Sequence, residues 1–335
     1  MRKPILLFVL LVTVSLACAA KVVKIPGILK PTTILIENDQ LFITEAAAVY
    51  IYSLNDFSLQ EKFGKQGQGP REFSINPMRG IRLNIQPDEI LVDCTGKIVY
   101  YTREGNFKKE IRTPPIFSPY MPLGEKFVGI GIGSGKKGPV FVVNIYDANF
   151  KKEKEIHSVN IPDTGVGNIN PVTFLSMPYL YTCEDKIFVG GQEEDIEMFD
   201  KSGKKLPPLI KDYKKVTLTE ARKKEYEDFF KTSTKYKGYY ERDKERIKYP
   251  DYFPIVRNFH VVDKKIYILT YREKMGKKEF LIYDISGKPL KTVFLPLEEI
   301  TPVALYPYTI KNGKLYQLID NPKTEEWELH ITEIK

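Results

Sequence analysis

The sequence is poor in the residues on which most catalytic and metal sites depend. It has three cysteines, three histidines and one tryptophan among 335 residues. It contains no CxxC pair, HExxH motif or GxSxG nucleophile elbow, so zinc-site, metalloprotease and α/β-hydrolase chemistry lack their usual signatures. We therefore predict no catalytic residues, no metal site and no cofactor.

Cysteine is scarce within the predicted fold as well. Once an N-terminal export segment is removed, only Cys94 and Cys183 remain. They could pair in an oxidising compartment, but they fall in non-adjacent repeats, where the geometry of a disulfide is not expected. We expect two buried and inert thiols.

Acidic residues are outnumbered, with 43 Asp and Glu against 51 Lys and Arg, which gives a formal net charge of +8. This excess permits attraction to anionic lipid, polysaccharide or nucleic acid without showing any of them. The hydrophobic and aromatic fractions, 42% and 12%, exclude gross disorder and favour strands.

Long apolar runs are absent except at the N-terminus. Arg2 and Lys3 are followed by an apolar run from Ile5 to Leu16 and by small residues at 17–20. This order is typical of a secretory signal, and the run is too short to span a bilayer comfortably. We predict that residues 1–20 are a signal segment and that the mature chain is extracytoplasmic: periplasmic, a cell-surface lipoprotein or secreted.

Cys18 leaves two kinds of export open. The segment Ser15-Leu16-Ala17-Cys18 resembles a bacterial lipoprotein signal, whose cysteine becomes the lipidated N-terminus. Such signals usually carry leucine where Ser15 stands, and Ala17-x-Ala19 offers ordinary cleavage instead. The sequence predicts either lipidation at Cys18, as the one membrane attachment, or soluble export.

One structural unit recurs along the chain. An Asp or Asn opens it, a polar residue or two follow, and a short apolar strand comes next, as in 38–43, 88–92, 185–189, 263–268 and 312–316. A second strand follows each, and most of these lead to a polar turn such as Asp284-Ile285-Ser286-Gly287-Lys288. Asx and Gly suit tight turns, so each unit is typical of an antiparallel propeller blade.

Six such units predict an all-β fold, a six-bladed β-propeller over residues 21–335. The units cover 31–63, 78–112, 120–158, 172–210, 255–296 and 302–335. The last unit stops one strand short. Residues 21–26 resemble the outer strand of the fifth unit, 291–296, so we predict that they supply the missing strand and close the ring.

A Gly-rich segment carries a family resemblance. The run Phe63-Gly64-Lys65-Gln66-Gly67-Gln68-Gly69-Pro70-Arg71-Glu72-Phe73, followed by 77–81, 90–93, 99–101 and 105–107, is similar to an NHL-type repeat. More closely, it resembles the bacterial extracytoplasmic six-bladed propeller family that shares this repeat. The resemblance implies the fold and the compartment, and no reaction. Gly96-Lys97 departs from the Asn-Arg pair usual in NHL repeats.

Residues 211–250 interrupt the β pattern between the fourth and fifth units and predict a helical insertion. Thr217 and Glu220 fit a capping box, and a weaker second helix is predicted over 239–247. Five apolar residues share one side of the first helix: Leu218, Ala221, Tyr226, Phe229 and Phe230. The insertion carries 13 Lys and Arg against 8 Asp and Glu. It is either a basic lid or membrane-surface helix, or a helix packed on the propeller with a solvated face.

Two pairs of basic residues are candidate anion sites. Backbone N–H groups of the Gly-rich segment could form an anion nest beside Lys65 and Arg71, or the segment is only an inter-blade loop. Arg79 and Arg257 start the inner strands of opposite units, where converging arginines would bind a carboxylate, sulfate or phosphate. Their offsets from the preceding proline differ by one, so separate salt bridges are the alternative. His260 is expected to be a satisfied strand histidine.

These observations predict an exported, non-catalytic binding or scaffold propeller, monomeric, whose partner is a protein, a glycan or an anionic ligand. The alternative is a propeller hydrolase or lyase with a metal at the channel floor, which would need a cluster of Asp, Glu, Asn or His. Nucleic-acid binding is not expected, because the signal segment removes the chain from the cytoplasm.

Overall fold

The computed structural model describes residues 21–75, 80–114, 116, 119–136, 138–161, 168–173, 178–191, 195–209 and 213–335. The predictions for residues 1–20, Cys18 among them, and for Arg79 lie outside the described residues. No helix in the described part of the chain is long and apolar enough to cross a membrane.

Six antiparallel sheets form the blades of a propeller, as the sequence predicted. The first blade contains β2–β5, which are Thr33–Glu37, Gln40–Glu45, Ala48–Ser53 and Leu59–Phe63. The second contains β6–β9, which are Arg82–Ile85, Glu89–Cys94, Lys97–Thr102 and Phe107–Arg112. The third contains β10–β13, which are Met121–Leu123, Lys126–Gly135, Gly138–Tyr146 and Lys152–Asn160.

The last three blades continue the same order from the axis outward. The fourth contains β14–β16, which are Tyr179–Cys183, Lys186–Gly190 and Glu197–Asp200. The fifth contains β17–β20, which are Asn258–Val262, Lys265–Lys274, Lys277–Asp284 and Pro289–Leu295. A short hairpin follows, β21 (Glu299–Thr301) and β22 (Ala304–Leu305). The sixth blade contains β23–β25, which are Tyr308–Lys311, Lys314–Asn321 and Glu326–Glu333, and then β1 (Lys21–Ile25).

The N-terminal strand closes the ring, which confirms the prediction for residues 21–26. β1 pairs antiparallel with β25, with Lys21 opposite Ile331 and Ile25 opposite Trp327. Ile25 is buried in the core that blades six and one share. The two ends of the described chain are therefore held in one sheet, which removes the exposed edge that β25 would otherwise present.

Apolar side chains between neighbouring blades make the core. Between blades one and two they include Phe42, Ile51, Ile90, Val92 and Val99, each with no more than 1% of its surface exposed. Equivalent clusters lie between the other blades. A four-stranded sheet cannot bury two apolar faces alone, so stacking in a ring is what makes the blades stable.

The tight turns explain the recurring Asx residues. Between the first two strands of a blade, Asn38 and Asn312 adopt φ of 52° and 50°, a region that Asn tolerates better than most residues. At the turn before the outer strand, the carboxylates of Asp147, Asp200 and Asp284 accept hydrogen bonds from backbone N–H groups two and four residues on. The same chemistry therefore shapes several blades.

Strand direction gives the propeller two faces. The hairpins between the second and third strands, and the connections between blades, lie at one end of the axis, here called the upper face. The other hairpins lie at the lower face. The connection from β16 to β17 carries the predicted insertion, with α1 (Glu220–Thr232), α2 (Lys237–Asp243) and a 3-10 turn at Lys244–Arg246. The insertion therefore lies on the upper face.

The insertion packs onto the propeller through aromatic residues. Tyr226 and Phe230 of α1 are buried together with Phe253, whose ring stacks on Tyr271 of β18 at 4.3 Å between centroids. The charged side of α1 carries internal ion pairs such as Lys231–Glu227 at 2.6 Å.

Two details of the predicted helix are wrong. The N-cap is Thr219, whose hydroxyl accepts from the N–H of Arg222, because Thr217 instead forms a β-bridge with Tyr252. Ala221, placed on the apolar side by the sequence, is exposed.

Both described cysteines are free thiols. Cys94 is buried, and burial raises its pKa to about 11, so its thiol is inert. Cys183 is only half-buried, which corrects the expectation of two buried thiols.

Candidate functional site

Polar side chains lie on four of the inner strands, which surround the central channel. Side chains alternate along a strand, so residues i and i+2 lie on the same face. β14 and β17 each contribute two residues with this spacing. The group, here called the channel cluster, consists of Arg82 (β6), Tyr179 and Tyr181 (β14), Asn258 and His260 (β17), and Tyr308 (β23).

His260 lies between tyrosine side chains of the two neighbouring blades. The Tyr181 hydroxyl is 3.4 Å from its Nδ1. The Tyr308 ring packs edge-on against the imidazole, with 4.7 Å between centroids. Phe259, on the other face of β17, packs against Tyr181 at 5.1 Å. The imidazole is therefore fixed in place, and its Nε2 edge is left for another partner.

Four buried polar atoms of the channel cluster have no hydrogen-bond partner among the described residues. They are Arg82 Nε, Asn258 Oδ1, His260 Nε2 and the Tyr308 hydroxyl, and Tyr308 is only 8% exposed. An unpaired buried group costs about 1–3 kcal/mol, so native proteins satisfy such groups with protein, water or ligand. The channel cluster therefore requires water or a ligand.

Burial sets the protonation of the channel cluster. It lowers the pKa of His260 to about 4, so the imidazole is neutral at pH 7. It raises the pKa of Tyr179, Tyr181 and Tyr308, although the positive charges of Arg82 and Arg257 lower that of Tyr179. Arg82 is then the one cation of a cluster whose other members are uncharged, and no described carboxylate forms an ion pair with it.

An ion-pair network lies where β17 begins, next to the insertion. Arg257, with 7% of its side chain exposed, places Nη1 2.6 Å from Oε1 of Glu299. Lys278 Nζ lies 2.5 Å from the same oxygen, and Nη2 of Arg222 in α1 lies 3.9 Å from Oε2. Burial alone would raise the pKa of the Glu299 carboxyl. The neighbouring positive charges of Arg257 and Lys278 have the larger combined effect, so the pKa is lowered. The ionised Glu299 thus ties α1 to blade five.

The Gly-rich segment supplies partners for its own charges. Lys65 Nζ lies 3.1 Å from Oε1 of Glu72, and the N–H of Gly69 donates to Oε2 of the same carboxylate. The Arg71 guanidinium stacks over Phe107 at 4.5 Å. The structure therefore places Lys65 and Arg71 in contacts within the inter-blade connection and blade two.

The predicted arginine pair is only partly described. Arg257 meets Glu299, and Arg79 lies outside the described residues. Arg82, at the start of β6 in blade two, is the arginine of the channel cluster, and its positive charge acts on Tyr179 and Tyr181. His260, expected to be satisfied, is satisfied only at Nδ1.

Sequence reasoning missed Arg82, Tyr179, Tyr181, Asn258 and Tyr308. A usable signal was present, since Tyr-x-Tyr and Asn-x-His place polar groups two residues apart on inner strands.

A small pocket between blades three and four is lined by His157, Asp195 and Glu197 together with apolar residues and glycines. His157 Nδ1 is 3.3 Å from Oε2 of Glu197, and Lys205 Nζ is 2.6 Å from Oε1. Burial raises the pKa of the nearby Asp195. Across the described ranges, no three His, Cys, Asp or Glu side chains have the grouping of metal ligands.

A family model described as a 6-bladed beta-propeller matches residues 27–128, and with the six sheets it identifies the fold. Among solved structures, BamB from Moraxella catarrhalis is similar over 89% of this chain and 71% of its own, with 12% identity and a TM-score of 0.34. A luciferin-regenerating enzyme is similar over 94% and 96%, with 12% identity and a TM-score of 0.46. No curated protein matches the sequence. Neither structural likeness is strong enough to inform function.

Proposed function

We propose that the chain is an extracytoplasmic, non-catalytic binding propeller whose channel cluster holds a small molecule bearing an oxyanion and a hydroxyl group. The observation that carries this proposal is that four buried polar atoms, on inner strands of three blades, have no hydrogen-bond partner among the described residues. One such atom in a large protein is ordinary, but several on one channel are typical of a binding site.

The chemistry of the four atoms defines the ligand class. Arg82 Nε and the Tyr308 hydroxyl are donors, and a guanidinium without a carboxylate partner favours an anionic acceptor. Asn258 Oδ1 is an acceptor, so the ligand must also donate. His260 Nε2 donates or accepts according to the direction of its Nδ1 bond with Tyr181. A hydroxy acid or sugar acid meets all of these requirements.

The compartment and the anchor are separate parts of the proposal. The N-terminal basic, apolar and small-residue order in residues 1–20 supports export, with Cys18 either lipidated or removed. Native mass spectrometry of the mature protein tests both, because an acylated Cys18 adds the mass of its acyl chains. The same spectrum tests whether the protein is a metal-dependent enzyme. One retained metal ion per chain would contradict the proposal that the propeller is non-catalytic.

Thermal shift and calorimetric titration with glucuronate test the ligand class. Glucose, which lacks the charge, and acetate, which lacks the hydroxyl groups, are the matched probes. We expect glucuronate to bind more tightly than either, and Arg82→Gln and Tyr308→Phe each to weaken binding roughly tenfold. Tyr316→Phe, which removes a hydroxyl from the same blade outside the channel, is the control. Equal affinity for all three probes, or no binding of any, would overturn the ligand class.

A further inference from the structure

The hairpin tip between β18 and β19 is the most exposed apolar feature among the described residues. Met275 stands at this tip on the upper face with 92% of its surface exposed. Lys274 and Lys277 pair directly across the strands on either side of it, and both are exposed. Like charges opposite one another destabilise a hairpin, so the fold alone gives no reason for this arrangement.

Further lysines lie beside the tip. The backbone oxygen of Lys214 accepts from Arg272 of β18 at 2.9 Å, which places the segment 213–215 against the hairpin. Lys215 lies 5.7 Å from the centroid of Tyr252, which is 47% exposed. The tip patch is defined as Lys214, Lys215, Tyr252, Lys274, Met275 and Lys277.

The acidic residues around the tip patch are mostly engaged elsewhere. Glu273 is paired with Lys278, and the buried Glu279 accepts from Tyr213 and Thr270. Asp251, next to Tyr252, is a further carboxylate in the described part of the chain beside the patch. The four lysines of the tip patch form no ion pair with a described carboxylate, so the patch carries a net positive charge around apolar and aromatic side chains.

We propose that the tip patch binds the surface of a bilayer that contains anionic lipid. A single exposed Met at a hairpin tip can enter the interface, while lysines on long stems reach back to the phosphates. The lysines add electrostatic attraction to an anionic surface. An acidic protein would need a complementary groove or face for Met275, whereas a bilayer accepts a projecting tip directly. This surface is distinct from the channel cluster.

Vesicle co-sedimentation tests the proposal on the chain exported from a Cys18→Ser precursor, so that no acyl chain contributes. The vesicles are pure phosphatidylcholine or contain roughly one third phosphatidylglycerol. We expect binding only to the anionic vesicles, weakening with added salt. Lys274→Gln/Lys277→Gln should lower the partition coefficient roughly 25-fold, from the usual contribution of each basic residue. Met275→Ser should lower it roughly tenfold with the charge unchanged.

The matched control is Lys264→Gln/Lys265→Gln. It removes the same charge from the lower face of the same blade, about 30 Å away along β18. We expect it to retain at least half of the wild-type partition coefficient. An equal loss in this control, binding that ignores lipid charge, or no binding of the wild type would overturn the proposal. The last result would leave the channel ligand untouched, since that is tested without lipid.

Discussion

The core between blades one and two and the channel cluster are built from the same kind of strand and differ in how their atoms are satisfied. Phe42, Ile90 and Val92 are fully buried among apolar neighbours. In the channel, Nε2 of His260 and the hydroxyl of Tyr308 are also buried and have no hydrogen-bond partner in the described part of the chain. The side chains of the first region are satisfied by their apolar neighbours, whereas the channel atoms still need a hydrogen-bond partner. The difference separates the framework that holds the ring from the site that it presents.

The framework should show the largest loss of stability. Phe42→Ala removes a fully buried ring from the core between blades one and two, and we expect the free energy of unfolding to fall by about 3–5 kcal/mol. Equilibrium urea denaturation measures it. Phe42→Leu, which keeps most of the volume, should cost less than about 1.5 kcal/mol. A loss below that limit for the alanine variant would mean that this core is not tightly packed.

Disrupting the ion-pair network beside the insertion should cause the next largest loss of stability. Glu299→Gln leaves the buried Arg257 and Lys278 without their shared counter-charge, and we expect a loss of about 3 kcal/mol in unfolding free energy. Lys231→Gln, which removes the pair with Glu227 on α1 and the contact with the Tyr240 ring, should cost less than about 1 kcal/mol. Equal effects would contradict a role for Glu299 in holding the insertion.

The buried imidazole of His260 should make the free energy of unfolding depend on pH. The His260 pKa is about 4 in the folded protein, against an ordinary value of 6.5. Between these values the unfolded chain binds a proton that the folded chain does not, so stability is full above about pH 6.5 and falls as pH drops toward 4. We expect a loss of about 2–3 kcal/mol over this window. His260→Gln should flatten the decline measured by urea denaturation at pH 7, 5.5 and 4. An unchanged decline would contradict the burial of a neutral imidazole.

The smallest effect has the opposite sign. Tyr308→Phe removes a buried hydroxyl that has no hydrogen-bond partner among the residues the structure describes, so we expect the free protein to gain about 1 kcal/mol of stability. Differential scanning calorimetry in ligand-free buffer would detect the gain. A loss of stability would show that the hydroxyl is already well satisfied, which would weaken the contrast between channel and core.

The sequence predicted the framework better than the site. Asx turns and short apolar strands recur in each blade because each must make the same hairpins, and residues 21–25 show the pattern of an outer strand. The channel cluster depends on which inner-strand residue comes first. Arg79, the arginine predicted for this end of the channel, lies outside the described residues, and Arg82 in β6 was not predicted. Tyr308 and Tyr179 come from distant blades, so their approach is set by ring closure, which no local pattern encodes.

A calorimetric titration of the purified protein with glucuronate, repeated on Tyr308→Phe, tests most directly whether the channel cluster binds a ligand. We expect measurable binding to the native protein and roughly tenfold weaker binding to the variant, even though the variant is the more stable of the two. Equal affinity in both proteins, or tighter binding of acetate than of glucuronate, would contradict a channel site that reads both charge and hydroxyl groups.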